Sequence, residues 1–214
     1  MKYYAKALLF DNDGVLVDSH AAAATAWRTW ADRYCPEWDW DAPDNAGVRA
    51  EDKVRQMVGP ELFEEANAYI NQLEQDTANE TEALPGAVEL TKALADGEWN
   101  VCTSANANLG AARLAAAGIP VPRQLVTGDD VQRGKPSPDP YLLGAERLGV
   151  HPEDCVVFED APAGCEAAIA AGVGLVIGVT EKALETEADI VVRDLVGITF
   201  VNGELNIPDK NRLR

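Results

Sequence analysis

The sequence predicts an α/β protein: a doubly wound parallel sheet carrying a small α-helical cap inserted after its first strand. Three observations predict it. Short apolar runs at residues 7–10, 99–102 and 155–158 each end in polar residues and lead into a helical stretch, the pattern of repeated βα units. Between Val17 and Leu84 that alternation stops and only helical periodicity remains. Leu84-Pro85-Gly86 then breaks the chain, and strands and helices alternate again to about Leu195. The expected division is a Rossmann-like core of residues 1–17 and 85–214, with residues 18–84 as the cap.

The first apolar run ends in Asp11-Asn12-Asp13-Gly14. Burying unpaired carboxylates is costly, so such a cluster is either solvated or built around a cation. Gly14 permits a tight turn that lets main-chain groups reach a ligand beside the carboxylates. Oxygen-only donors suit a hard ion such as magnesium, and a carboxylate can attack phosphorus to form an aspartyl-phosphate. As four letters alone, the motif is also a common way to end a strand.

In the cap region, residues 21–34 are alanine-rich with Trp27 and Trp30 at helical spacing. Cys35-Pro36 ends that helix, because a residue before proline avoids helical backbone angles. Further helices are expected at about 50–58 and 61–79. Trp27 and Trp30 read as helix core. Trp38 and Trp40 alternate with acids and read as covering loops or the cap edge. His20 stands at the cap hinge as an exposed residue, and His151 in a loop without site context.

The second run leads into Thr103-Ser104-Ala105-Asn106. A hydroxyl at a strand end, followed by small residues and a helix, can hold a phosphate oxygen through Oγ and backbone N–H groups; alone it equally describes a helix cap. Lys135 lies between Gly134 and the prolines Pro136, Pro138 and Pro140, in a loop stiffer than that of an ordinary surface lysine. The third run ends in Glu159-Asp160 before another turn into a helix. In an open parallel sheet ligands bind beyond the carboxyl ends of the strands, so Asp11, Asp13, Ser104, Lys135 and Asp160 are expected to converge on one crevice. The polar tail, residues 202–214, is expected to fray.

Asp and Glu number 36 against 18 Lys and Arg, a formal net charge of −18. That balance disfavours nucleic acid and anionic membrane, both of which need basic patches. It also repels a phosphate ester at long range, leaving capture to magnesium, Lys135 and local donors. The four cysteines are scattered, with no CxxC pair, and there are two histidines. These numbers argue against a disulfide framework and a zinc site. No run is apolar enough to span a membrane and none reads as a signal peptide, so the expected location is the cytoplasm.

With these motifs in hand, the chain resembles the haloacid dehalogenase superfamily of phosphotransferases, in its subgroup with a small helical cap. DNDG, TSAN, GKPSPDPY and FEDAPAG match its four motifs in order, and the nearer likeness is to bacterial sugar and sugar-alcohol phosphatases. The resemblance implies a phosphatase of small phosphate monoesters, most of all hexose or sugar-alcohol phosphates, with Mg2+ as cofactor. By it, Asp11 is the nucleophile and Asp13 the general acid/base; Ser104, Ala105 and Lys135 hold phosphate. Asp11, the Asp13 carbonyl and Asp160 bind magnesium, with Glu159 beside them. Ser19, Arg49 and Asn106 are the candidates for contact with the rest of the substrate. Asn12 stands where the family usually has an apolar residue. One cap of this size suggests a monomer, with a small phosphorylated metabolite as its only expected partner.

Two other readings share these residues. A phosphomutase of the beta-phosphoglucomutase type has the same fold and motifs, but such relatives use a histidine on the first cap helix, and that place falls near Ala23 here. A phospho-accepting receiver protein combines aspartates, a hydroxyl, a lysine and magnesium, yet places its acids on different strands and carries no cap.

Overall fold

The computed structural model describes residues 2–38 and 47–214. Five parallel strands form the central sheet in the order β5-β2-β6-β7-β8: β2 Ala7–Phe10, β5 Trp99–Val101, β6 Cys155–Glu159, β7 Leu175–Val179 and β8 Ile190–Val192. The strand carrying the DNDG motif is the second in chain order, because β1, Lys2–Tyr4, precedes it at a separate sheet. It lies inside the main sheet, next to its β5 edge, flanked by β5 on one side and β6 on the other. The chain reaches β5 first and then crosses to β6, so the order reverses at β2 and opens a crevice at its carboxyl end.

Both faces of this sheet are covered, which is why its strands read as unbroken apolar runs rather than alternating ones. On one face Phe10 stacks on Phe158 at 4.8 Å and meets Trp99 edge-on at 6.1 Å, within a cluster that includes Leu8, Val101 and Ile177. On the other face Leu9, Cys102, Val157 and Tyr141 pack under the helices α6, Asp139–Leu148, and α7, Pro162–Ala170. Cys102 and Cys155 behave as small hydrophobes there, and burial pushes their thiols up to about 12 and about 11.

Between β3, Val17–Asp18, and β4, Glu82–Ala83, the described residues form helices only: α1 His20–Tyr34, α2 Ala50–Met57 and α3 Pro60–Asp76, with a short 3-10 turn at Ala78–Glu80. β3 and β4 pair antiparallel, Val17 with Ala83 and Asp18 with Glu82, at the foot of these helices. The helical lobe has its own core of Trp27, Trp30, Val54, Ala66 and Ile70. Trp30 is fully buried and its indole N–H donates to the Ala66 carbonyl at 2.9 Å, satisfying the one polar atom it buries. Trp38 packs edge-on against Trp27 and Trp30; Trp40 lies outside the described residues.

The tail differs from expectation. β10, Glu204–Asn206, pairs with both β9, Thr199–Val201, and β1, forming a three-stranded antiparallel sheet. Beyond it the Leu213 amide donates to the Val191 carbonyl at 2.7 Å, and the Arg214 guanidinium reaches the carbonyls of Leu184, Thr186 and Ala188. Three-residue strands paired across two hundred positions leave no periodic trace in the sequence, and polar composition alone suggested fraying. Among the described residues, no helix is long and apolar enough to cross a membrane.

Candidate active site

β2 and β6 end side by side, and Asp11, just past β2, meets Glu159, the last residue of β6, around one lysine. The ammonium of Lys135 donates to Asp11 Oδ1 at 2.7 Å and to Glu159 Oε1 at 2.6 Å, and all three groups are buried. Lys135 arrives on the loop before α6. That loop follows a single parallel bridge, Cys102 to Val126, rather than a full strand end. Glu159 is fully spent: Oε1 also accepts from the Tyr141 hydroxyl at 2.8 Å, and Oε2 accepts from the Asp160 and Ala161 amides at 2.9 and 3.1 Å. Glu159 therefore holds Lys135 and the β6–α7 turn in place. Tyr141 stood in the GKPSPDPY motif without an assigned part; its ring lies 5.0 Å from the lysine ammonium.

Electrostatics set this cluster apart. Burial pushes the Asp11 carboxyl up to about 7; Lys135 opposes the shift, while Glu159 and Asp13 add to it. Burial, Glu159 and Asp11 likewise hold Asp160 well above the ordinary carboxylate range. Burial works to lower the Lys135 ammonium, but Asp11 and Glu159 outweigh it and keep the lysine charged. One ammonium thus faces more negative charge than it can neutralise.

Asp11, Glu159 and Asp160 each place a carboxylate oxygen within 4.8 Å of the others, a geometry able to hold a metal ion. The donor chemistry fits a hard divalent cation, since every donor is oxygen and a cation would relieve the excess negative charge. With Glu159 saturated, the oxygens left for it belong to Asp11 and Asp160. Space has been made for Asp160: a Cβ on Gly14 would lie 2.1 Å from Asp160 Oδ2, and Gly14 has φ of +85°, so the turn admits glycine alone.

Asp13, two residues beyond Asp11, points into a different set of partners. Its Oδ1 accepts from the Ser19 hydroxyl at 2.5 Å and from Arg113 Nη1 at 3.0 Å. Arg113, on α5, Ala107–Ala116, is buried and also donates to Glu74 Oε1 at 3.2 Å, on helix α3 of the lobe. Burial would lower the arginine, and Asp13 and Glu74 outweigh it. The sequence reading missed both Arg113 and Glu74. Arg113 carried a signal, as the one charge in the run Ala107-Asn108-Leu109-Gly110-Ala111-Ala112-Arg113-Leu114. Glu74 carried none, being one acid among many on α3.

The remaining expected residues fall as follows. The Ser104 hydroxyl donates to the Gly47 carbonyl of the lobe at 2.7 Å. The Ala105 amide donates to Thr103 Oγ1 at 3.1 Å. Asn106 caps α5, accepting from the Leu109 amide at 2.9 Å, and its Nδ2 donates to Asn71 Oδ1 at 3.2 Å. Arg49 is committed to holding the lobe: it pairs with Asp52 through Nε at 2.7 Å and Nη2 at 2.9 Å. It also donates to the core carbonyls of Gly128, Val131 and Gln132 at 3.2, 3.0 and 3.2 Å. Ser104–Gly47 and Arg49 together seat the lobe on the core. Between them lies a cavity of about 890 Å³, lined by Asp11, Asp13, Ser104, Asp160 and, from the lobe, Lys53 and Asn67.

Residues 5–172 match the haloacid dehalogenase-like hydrolase family. Hexitol phosphatase A of Escherichia coli (strain K12) is 40% identical over 218 residues, covering 94% of this chain and 98% of that protein. Glycerol-1-phosphate phosphohydrolase 2 of Saccharomyces cerevisiae is 33% identical, covering 88% of this chain and 82% of its own. Among solved structures, a hydrolase from Pseudomonas syringae aligns with a TM-score of 0.77 at 26% identity, covering 88% of this chain and 93% of that one.

Proposed function

Because the chain belongs to the haloacid dehalogenase-like hydrolase family, we propose that it is a phosphatase of small sugar or sugar-alcohol phosphates, working through a phospho-aspartate on Asp11 with Mg2+ as its cation. The phosphatases named among its relatives support the reaction class. The observation that carries the assignment of residues is the pairing of Asp11 with Lys135 inside the cavity wall, with Asp13 held by separate donors two residues away.

In the first step an Asp11 carboxylate oxygen attacks phosphorus and the bond to the leaving oxygen breaks. Asp13 gives its proton to that oxygen. In the second step Asp13 takes a proton from water, which attacks the phospho-aspartate, returning the Asp11 carboxylate and releasing inorganic phosphate. Lys135 stabilises negative charge on the phosphoryl oxygens and on Asp11, and Ser104 with the Ala105 backbone lines the same end of the cavity. Held by Asp11, Asp160 and the Asp13 carbonyl, Mg2+ would add charge neutralisation at the transferring group. Ser19 and Arg113 fix the direction in which Asp13 points. The helical lobe, seated by Arg49, shields the site from bulk water.

Hydrolysis is preferred to isomerisation because Ala23, near which the mutase histidine falls, carries no base, and His20, which also lines the cavity, stands exposed at the first residue of α1. The test is inorganic phosphate release from a panel of hexose, hexitol and glycerol phosphates, with magnesium and then with EDTA. Magnesium-dependent release that Asp11→Asn abolishes supports the reading; isomerised ester without phosphate release would return the chain to the mutases.

A further inference from the structure

The two carboxylate oxygens of Asp13 are held differently. Oδ1 accepts from both the Ser19 hydroxyl at 2.5 Å and Arg113 Nη1 at 3.0 Å. Oδ2 accepts no hydrogen bond from the described residues, and the side chain stays 28% exposed on the cavity wall. Two donors on one oxygen favour the acid's proton on the other, so Oδ2 is the oxygen able to exchange it with a substrate.

Arg113 reaches Asp13 by a single bond, against the habit of its kind. A guanidinium beside a carboxylate ordinarily closes on it with two parallel N–H groups. Arg49 does so with Asp52, through Nε and Nη2. Arg113 instead gives Nη1 to Asp13 and Nη2 to Glu74, while its Nε is shielded from water and has no acceptor. A buried N–H left unpaired costs about 1–3 kcal/mol, which a fork through Nε onto one carboxylate would avoid. Glu74 stands against that fork. From α3 of the lobe it holds the far side of the guanidinium at 3.2 Å, and both side chains are more than nine-tenths buried. Released from Glu74, the guanidinium would be free to close on Asp13 with two N–H groups and occupy Oδ2 as well.

We infer that Glu74 and Arg113 are positioning residues for proton transfer: Glu74 restrains Arg113 to one bond on Asp13 Oδ1, and Oδ2 is thereby kept for the substrate. The proton on Oδ2 passes to the leaving oxygen as its bond to phosphorus breaks, and the proton taken from the attacking water returns to Oδ2. Glu74 sits on the lobe and Asp13 on the core, so the lobe contributes to the chemistry as well as to shelter from water. This rests on the phosphatase reading above and assigns how its acid is held.

The experiment compares leaving groups. An alkyl ester needs a proton on its departing oxygen, whereas 4-nitrophenolate departs without one. Single-turnover kcat/KM is measured for the fastest of the hexitol, hexose and glycerol phosphates and for 4-nitrophenyl phosphate. The ratio of the alkyl to the aryl value reports proton delivery, and a general loss of active enzyme cancels from it. It is read in the wild type, Glu74→Gln, Arg113→Met and Asp13→Asn, each first shown to be folded by its thermal transition. The double variant Glu74→Gln/Arg113→Met, which strands no charge, stands in where a single one fails to fold. Asp13→Asn should lower the ratio by about 100-fold or more. Glu74→Gln, Arg113→Met and the double variant should each lower it by about tenfold or more, the cost of a misplaced catalytic group. Where Asp13→Asn is already present, Glu74→Gln should lower it no further. Equal losses for both esters in the Glu74 and Arg113 variants, or a further fall of the ratio in the Asp13→Asn background, overturn the inference while leaving the phosphatase standing. A folded wild type that cleaves none of the esters, or a ratio that Asp13→Asn leaves unmoved, overturns the reading on which the inference rests.

Discussion

Lys135 and Asp11, 124 positions apart in the chain, meet at 2.7 Å with the lysine side chain wholly out of contact with water. A buried ammonium of this kind is tolerable only because Asp11 and Glu159 surround it, and they in turn are tolerable only because it is there. Removing one partner of a buried pair costs about 3–5 kcal/mol, since the other charge is left uncompensated. Lys135→Met is therefore expected to lower stability by that amount in urea denaturation and to reduce kcat by about 100-fold or more. A variant of near wild-type stability and rate would show that the lysine is an ordinary loop residue.

Magnesium should stabilise the protein in a pH-dependent way. The Asp11 carboxyl sits at about 7 in the cation-free fold against 3.8 in an unperturbed carboxyl. Its folded value is the higher one, so the stability it contributes is complete below about pH 4 and is lost as pH rises to about 7. A divalent cation takes the ionised carboxylates and replaces the proton, so its grip strengthens over the same window. At 100 times its Kd at pH 8, magnesium should add about 2.7 kcal/mol, and the same concentration should add almost nothing at pH 5. Thermal unfolding with magnesium and with EDTA at the two pH values measures this; equal shifts at both would argue against Asp11 and Asp160 as the cation site.

The bridge Asp13–Arg113–Glu74 joins the core to the helical lobe through one buried guanidinium, and burial raises the Glu74 carboxyl even with the arginine present. Arg113→Met should cost about 3–5 kcal/mol, and adding Glu74→Gln should restore a large part of it by removing the stranded charge. A double-mutant cycle is expected to return a coupling of about 1–3 kcal/mol. Additive losses would mean the two side chains are merely near one another.

Asn12 is fully buried, and neither its Oδ1 nor its Nδ2 has a hydrogen-bond partner. The sequence already marked it as a polar residue at a usually apolar place, and the structure shows no compensation. Replacing an unsatisfied amide by an apolar group of similar shape removes a desolvation cost, so Asn12→Leu should raise stability by about 1 kcal/mol. Urea midpoints of the two proteins decide it, and a loss of stability would indicate a partner that Asn12 acquires in solution.

How much of this was visible beforehand depends on how local the determinant is. Asp11, Asp13 and Gly14 declare themselves because a turn with φ of +85° against Asp160 admits only glycine, and the acids must sit beside it in the chain. Lys135, Glu159 and Asp160 were equally legible, each fixed by its neighbours in a short motif. The lobe's site residues were not. Asn67, Asn71 and Glu74 lie at ordinary helical spacing, and only packing against α5 tells which face of α3 meets the cavity. Arg49 was expected as a candidate for contact with the substrate, yet its donors turn to Asp52 and to main-chain carbonyls, a choice no residue pattern encodes.

Among the described residues, the lobe departs from and returns to the sheet through two residue pairs, Val17 with Ala83 and Asp18 with Glu82. So short a ribbon twists more readily than it stretches, which makes it a pivot. Displacement about a pivot grows with distance from it. Ser19 stands one residue past this ladder, so a rotation about it would scarcely displace that residue. The proton-handling carboxylate of Asp13 would therefore keep its hydroxyl companion however the lobe turned.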